Sequence, residues 1–226
     1  MLTFMTGDPP PGPLSPFAEE LHAAWGAPAR EVFAIRRREE KAALDRLGAQ
    51  VSYLGFLDCI YRGSNDHFFY TSNDGIFGSI HPPDAILVDA LLSEMDALGT
   101  LAPEAKVYAP LAIGNHVDHQ LVRQAAERWR GRDLIYYEDY PYAQREEADA
   151  QVAQRLNNQF EMQPNHSLTV SMSEEALRAK IDAIQLYASQ LDVLFGSKDH
   201  VETDVRTFAR QRAGEIGWAE RFWHAA

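Results

Sequence analysis

The sequence is short of cysteine, of positive charge and of long apolar runs. Cys59 is the one cysteine among 226 residues. It cannot close an internal disulfide or build a thiolate zinc site, so no oxidising compartment is needed and a cytoplasmic setting is expected. Lysine and arginine number 21 against 33 aspartates and glutamates, a formal charge of −12. That balance argues against nucleic acid as a partner, because binders of that polyanion draw their affinity from phosphates neutralised by Lys and Arg. The basic cluster Arg36-Arg37-Arg38 runs at once into Glu39-Glu40 and reads as solvated helix surface. No stretch approaches the roughly 18 continuous apolar residues of a membrane span. Met1-Leu2-Thr3-Phe4-Met5 passes straight into Pro-rich polar sequence, so no secretory leader is expected. No Gly-x-Gly-x-x-Gly follows an expected strand, which removes the phosphate-cradling turn of a nucleotide-binding protein.

What is present is an ordinary globular composition, 46% hydrophobic and 11% aromatic, at a length that suits one domain over residues 1–226. Eight histidines stand beside the single cysteine, so any metal site would use nitrogen and oxygen ligands. Apolar β-rich runs alternate with helical patterns. Strands are expected at Leu2 to Thr6, Val51 to Leu57, Lys106 to Leu111 and Leu134 to Glu138, with a breaker run Gly7 to Pro13 after the first. Helices are expected from Ala29 to Leu47 with Gly48 as cap, from Pro83 to about Leu98, from Val117 to Arg130 closed by Gly131, and from Glu174 to about Phe195. In the first of these, Val32, Ile35, Ala42, Ala43, Leu44 and Leu47 fit one apolar face. Weaker helix over Gln144 to Asn157, a strand near Ser167 to Val170, a polar helical tail from Asp199 to Gly214 and a docked aromatic segment Trp218 to Trp223 complete the pattern. The alternation predicts an α/β fold with a parallel sheet. Cys59 to Pro82 has no periodicity and reads as a long loop, a candidate substrate wall.

The strongest chemical constellation is Gly114-Asn115-His116-Val117-Asp118-His119, between the C-terminal end of a strand and the first turn of a helix. Ligands bind in that crevice of open α/β sheets. His116 and His119, three apart, can turn both imidazoles to one side, while Asp118 can accept free helix N–H groups or orient a histidine. A chance H-x-x-H in a chain of eight histidines is the bland alternative, and two histidines fall short of the three protein ligands of catalytic zinc. The four tryptophans are spread widely and read as packing.

Gly114 to Gln120 resembles the second signature of the LmbE/PIG-L family of zinc-dependent N-acetylglucosamine deacetylases. Further stretches are similar to family motifs in the same order: Met5-Thr6-Gly7-Asp8, Arg36-x-x-Glu39 with Ala43 and Leu47-Gly48, Leu57-Asp58, Tyr137 to Tyr142, Tyr187-x-Ser189-Gln190 and Ala219-Glu220-Arg221-Phe222. The resemblance implies a Rossmann-like parallel sheet flanked by helices. It implies zinc held by His119, an oxyanion stabilised by His116 with Asp118 supporting the pair, and Arg36 and Asp58 on the substrate. The partner implied is a small-molecule amino-sugar conjugate, and a homo-oligomer is compatible with it. The family's first signature, His-Pro-Asp-Asp followed by an acidic residue, brings two metal ligands and the carboxylate base, and it has no counterpart in the sequence. The fold is therefore expected to lack the first strand and first helix, as an N-terminally truncated chain with little deacetylase activity of its own. The alternative expectation is a non-catalytic carbohydrate-binding or scaffold protein on the same fold. His81-Pro82-Pro83-Asp84 is read as a loop and helix cap.

Overall fold

The breaker run after the first strand does not end in coil. In a computed structural model, which describes residues 1–64, 67–99, 104–129, 131–145, 147–157, 167–214 and 217–224, Ser15 accepts from the Ala18 N–H at 3.0 Å and caps a helix α1, Pro16–Ala24, with proline in its first turn. This helix was not legible in the sequence pattern. The chain divides into two compact units, Met1–Thr71 with Ser171–Glu220, and Ser72–Val170 with Arg221–Ala226.

In the first unit, β1 (Leu2–Thr3) pairs in parallel with β2 (Ser52–Tyr53), shorter than either run suggested. Between them lies α2, Ala29–Arg46, closed at Leu47 and followed by Gly48 at φ +66°. Val32, Phe33, Ala43 and Leu44 are buried, whereas Ala42 and Leu47 of the expected apolar face are exposed. The expected loop after Asp58 carries a 3-10 turn at Cys59–Tyr61 and a short hairpin, β3 (Gly63–Ser64) with β4 (His67–Phe68). The returning segment contributes α7 (Glu174–Gln185), α8 (Ala188–Phe195) and α9 (Val201–Ala213), and α2 packs on α7 and α8.

The second unit holds α3 (Asn73–Ile76), a 3-10 turn at Pro82–Ile86 running into α4 (Leu87–Gly99), then β5 (Val107–Pro110), α5 (Val117–Arg128), β6 (Leu134–Tyr137) and α6 (Ala148–Asn157). His81 stands at the start of that 3-10 turn, so the His81 to Asp84 segment is the helix cap expected of it. With β7 (Ser167–Met172) and β8 (Trp218–His224) the sheet order is β5-β6-β8-β7. β5 and β6 are parallel, Val107 opposite Leu134 through Pro110 opposite Tyr137. β8 runs antiparallel to β6, so the sheet is mixed where a parallel one was expected, and the aromatic tail is a strand. Leu111, Ile113, Val117 and Leu121 are fully buried around α5 and the end of β5. Truncating Leu121 to alanine should therefore lower stability by about 2–5 kcal/mol, measurable as a drop in the urea midpoint. Among the described residues no helix is long and apolar enough to cross a membrane.

Candidate active site

The turn after β5 concentrates backbone strain. Ala112 at φ +60° and Asn115 at φ +63° are the non-glycine residues with positive φ among those described, and Gly114 between them sits at φ +83°. A Cβ on Gly114 would lie 2.7 Å from Cβ and Cγ of Tyr142, so this position needs glycine for both its dihedral and its space. Side chains hold the turn in place. The Gly114 N–H donates to Gln151 Oε1 at 2.7 Å, Asn115 Nδ2 donates to the carbonyls of Phe77 (2.9 Å) and Gly78 (2.8 Å), and Arg155 donates to Asn115 Oδ1.

The hydrogen bonds of the two histidines that follow select opposite tautomers of their neutral rings. His116 is itself the N-cap of α5: the Asp118 backbone N–H donates to its Nδ1 at 3.2 Å. Nδ1 must then carry the lone pair, and the proton sits on Nε2. His119 Nδ1 is 2.6 Å from Asp139 Oδ1, and a carboxylate only accepts, so here Nδ1 carries the proton and Nε2 the lone pair. Asp139 is fully buried, and its other oxygen accepts from the Ile113 N–H at 2.9 Å. Burial disfavours the charged form of His119, but the hydrogen bond and charge of Asp139, with the charge of Asp118, outweigh it and raise the imidazole's pKa above its ordinary value. The rings are 5.4 Å apart between centroids. Phe77 meets His116 edge-on at 5.4 Å, Tyr142 meets His119 at 5.9 Å, and the two aromatics meet each other at 5.6 Å.

The first unit assembles the other expected pair. Arg36 Nη1 is 3.6 Å from Asp58 Oδ2, Nη2 donates to Gln190 Oε1 at 3.1 Å, and the guanidinium lies 4.0 Å over the Trp25 ring. Its Nε is buried with no acceptor among the described residues. The arginine triplet is thus not the solvated face expected of it. Arg36 is stacked inward, Arg37 donates to the Thr6 carbonyl at 2.5 Å and to Asp8 at 2.9 Å, and only Arg38 is exposed. Trp25 supports a cation and does not simply fill a core. Beside it, His22 Nε2 lies 2.7 Å from the Tyr61 hydroxyl. Burial, and then the charge of Arg36, lower the His22 pKa against the opposing pull of Ala27 and Asp58. The unfolded chain therefore binds a proton that the folded one refuses. His22's contribution to stability is full above about pH 6.5 and declines as pH falls below it. His22→Gln should flatten that acid limb of a urea-midpoint profile.

No family model matches the sequence. The 2'-N-acetylparomamine deacetylase of Streptomyces fradiae is 31% identical over 185 residues, 75% of this chain and 61% of that protein. The chain thus spans about three-fifths of that relative's length. The zinc-inhibited form of teicoplanin deacetylase Orf2 superposes with a TM-score of 0.80 at 26% identity, over 99% of this chain and 86% of the other. A40926 pseudoaglycone deacetylase Dbv21 is 31% identical with a TM-score of 0.71, over 100% of this chain and 85% of the other. The chain belongs to the LmbE/PIG-L family.

The contacts explain why LmbE/PIG-L motifs so far apart in this sequence occur together. Arg36-x-x-Glu39 meets Tyr187-x-Ser189-Gln190: Glu39 accepts from the Ser189 N–H at 2.8 Å and from its hydroxyl at 2.7 Å, while Gln190 takes Arg36. The Tyr137 to Tyr142 stretch meets the last motif, with Arg221 paired to Glu138 and Trp223 Nε1 donating to it at 3.3 Å. His116, Asp118 and His119 thus lie in one turn of the second unit, and Arg36 and Asp58 together in the first. Sequence reasoning gave no role to Asp139 or Gln151, read Tyr140 and Tyr142 as able to line the pocket, and placed Phe77 only within the Cys59 to Pro82 loop. Asp139 and Tyr142 lay inside a quoted motif, but nothing in spacing ties them to residues 20 or more positions away. As a test of fit to zinc, His119 offers a ligand nitrogen whose far side is fixed by a carboxylate, the usual support of a metal-bound histidine. His116 does not, because its Nε2 carries the proton. The H-x-x-H turn therefore fits one coordination position of the three that a catalytic zinc takes from protein.

Proposed function

We propose that the chain serves a metal-dependent hydrolase that removes an acyl group, acetyl foremost, from an N-acetylglucosamine-type amino sugar or its conjugate. The observations that carry this reading are the hydrogen bonds at the two Nδ1 atoms, which leave the proton to Nε2 of a neutral His116 and the lone pair to Nε2 of a neutral His119. Zinc bound at His119 Nε2 would polarise the amide carbonyl and lower the pKa of the attacking water. His116 Nε2–H donates to the carbonyl oxygen as it becomes an oxyanion, a role that strengthens only as charge develops. The C–N bond then breaks, the acyl carbon leaves as acetate with the oxygen of water, and the amine departs with a proton. Asp118 keeps negative charge beside His119. Arg36 and Asp58, paired at 3.6 Å and each partly exposed, offer a donor and an acceptor to sugar hydroxyls. Relatives named for deacetylation of paromamine, teicoplanin and A40926 support acyl removal as the reaction class.

A second reading, a carbohydrate-binding protein without catalysis, is favoured by the H-x-x-H turn fitting one coordination position of the three that a catalytic zinc takes from protein. The two separate in one experiment on the protein as its gene encodes it, incubated with zinc and N-acetylated amino-sugar conjugates while acetate and free amine are measured. Acetate and amine released in equal amounts support the hydrolase. Saturable binding with no acetate supports the second reading, and neither binding nor release contradicts both.

A further inference from the structure

The 3-10 turn at Tyr142–Gln144 ends in Arg145, an exposed residue whose guanidinium lies 4.9 Å over the Tyr142 ring and 5.7 Å from that of Phe77. These are the two rings that meet His119 and His116. In the same unit Arg123 donates to Glu127 and the Leu111 carbonyl, Arg128 to Asp89, Arg155 to Asn115 and Arg221 to Glu138 and Asp149. The Arg145 guanidinium has no acceptor among the described residues, so its full fork of N–H donors is available while two aromatic rings lie against it. Stacking of this kind limits the freedom that binding would remove, and the planar fork matches the paired oxygens of a carboxylate or phosphate. An anionic ligand approaching a chain of formal charge −12 meets repulsion over most of its surface. An unpaired cation two ring contacts from the histidines makes this place the exception.

We propose that Arg145 is a specificity-determining residue that binds a carboxylate or phosphate carried by the acyl amino-sugar substrate, beside the amide that the histidines address. The proposal rests on the hydrolase reading above and deepens it to a substrate class: N-acyl amino sugars bearing an anionic group within about one sugar ring of the amide. Isothermal titration with three probes tests it: N-acetylglucosamine, its uronic acid, and its 1-phosphate. The wild-type protein should bind at least one charged probe about tenfold more tightly than the neutral sugar at low ionic strength, and less so as salt is raised. Whichever charged probe is preferred identifies the anion. Arg145→Gln should bring the ratio close to one, and Arg145→Lys should restore only part of it, because an ammonium keeps the charge without the fork or the stack. Urea midpoints of both variants equal to wild type exclude a folding defect. Equal affinity of the wild type for all three probes, weaker affinity for both charged ones, or a preference that survives Arg145→Gln overturns the proposal. The hydrolase reading is tested separately. His116→Ala should lower acetate release by about 10²- to 10³-fold while keeping the charged-probe preference, so either claim can fail without the other.

Discussion

On the proposed reading, in which His119 holds zinc, Asp139→Asn will lower the affinity for that metal by about 10- to 100-fold while leaving the protein folded. The carboxylate of Asp139 has two tasks, one oxygen on the Ile113 N–H and the other on His119 Nδ1. Asparagine has one oxygen, and the buried Ile113 N–H will claim it because an unpaired buried amide costs about 1–3 kcal/mol. The amide nitrogen then faces His119 Nδ1 as a donor. His119 can satisfy it only by moving its proton to Nε2, which removes the lone pair on the side where a metal would be held. Competition against a chromogenic chelator gives the affinity, and a urea midpoint close to that of wild type separates this effect from unfolding. Unchanged zinc affinity would show that His119 is not held through Asp139.

His116→Ala will lower acetate release by about 10²- to 10³-fold, with the loss mainly in kcat, because a donor to a developing oxyanion acts in the transition state and little in the ground state. His116 also caps α5, and its loss will cost stability, about 0.5–2 kcal/mol by analogy with other N-caps. His116→Asn keeps a side-chain acceptor for the Asp118 N–H and should recover most of that stability. Its acetate release should stay low, since its amide is shorter than the imidazole and does not reach the same point. Equal kcat in His116→Ala and wild type would remove His116 from the reaction.

The sequence pattern made local structure legible wherever local chemistry decides it. Helices α2, α4 and α5 and strands β5 and β6 follow from apolar period and flanking glycine, and the turn that bears His116 and His119 lies where a strand end meets a helix start. Features set by distant partners were not legible. The pattern from Glu174 to Phe195 reads as one helix with no proline or glycine inside, yet it breaks at Leu186 and Tyr187. Glu39, 150 residues away, accepts the Ser189 N–H in the first turn of α8 and makes a second helix start there. The same limit applies to the site. Its two histidines were visible as a motif, but the tautomer that tells them apart depends on Asp139 for one and on the Asp118 backbone for the other. Arg36 read as solvated because its charged neighbours suggested it, whereas Trp25, Asp58 and Gln190 hold it inward.

Long-range ¹H–¹⁵N correlation spectra of the histidine rings show whether His116 and His119 are held in opposite tautomers and so divide donor from ligand. The spectra are recorded without metal, at a pH where both rings are neutral, and assigned with His116→Ala and His119→Ala. The structure requires His116 with its proton on Nε2 and His119 with its proton on Nδ1. The same tautomer on both rings, or a proton on His119 Nε2, would contradict the account.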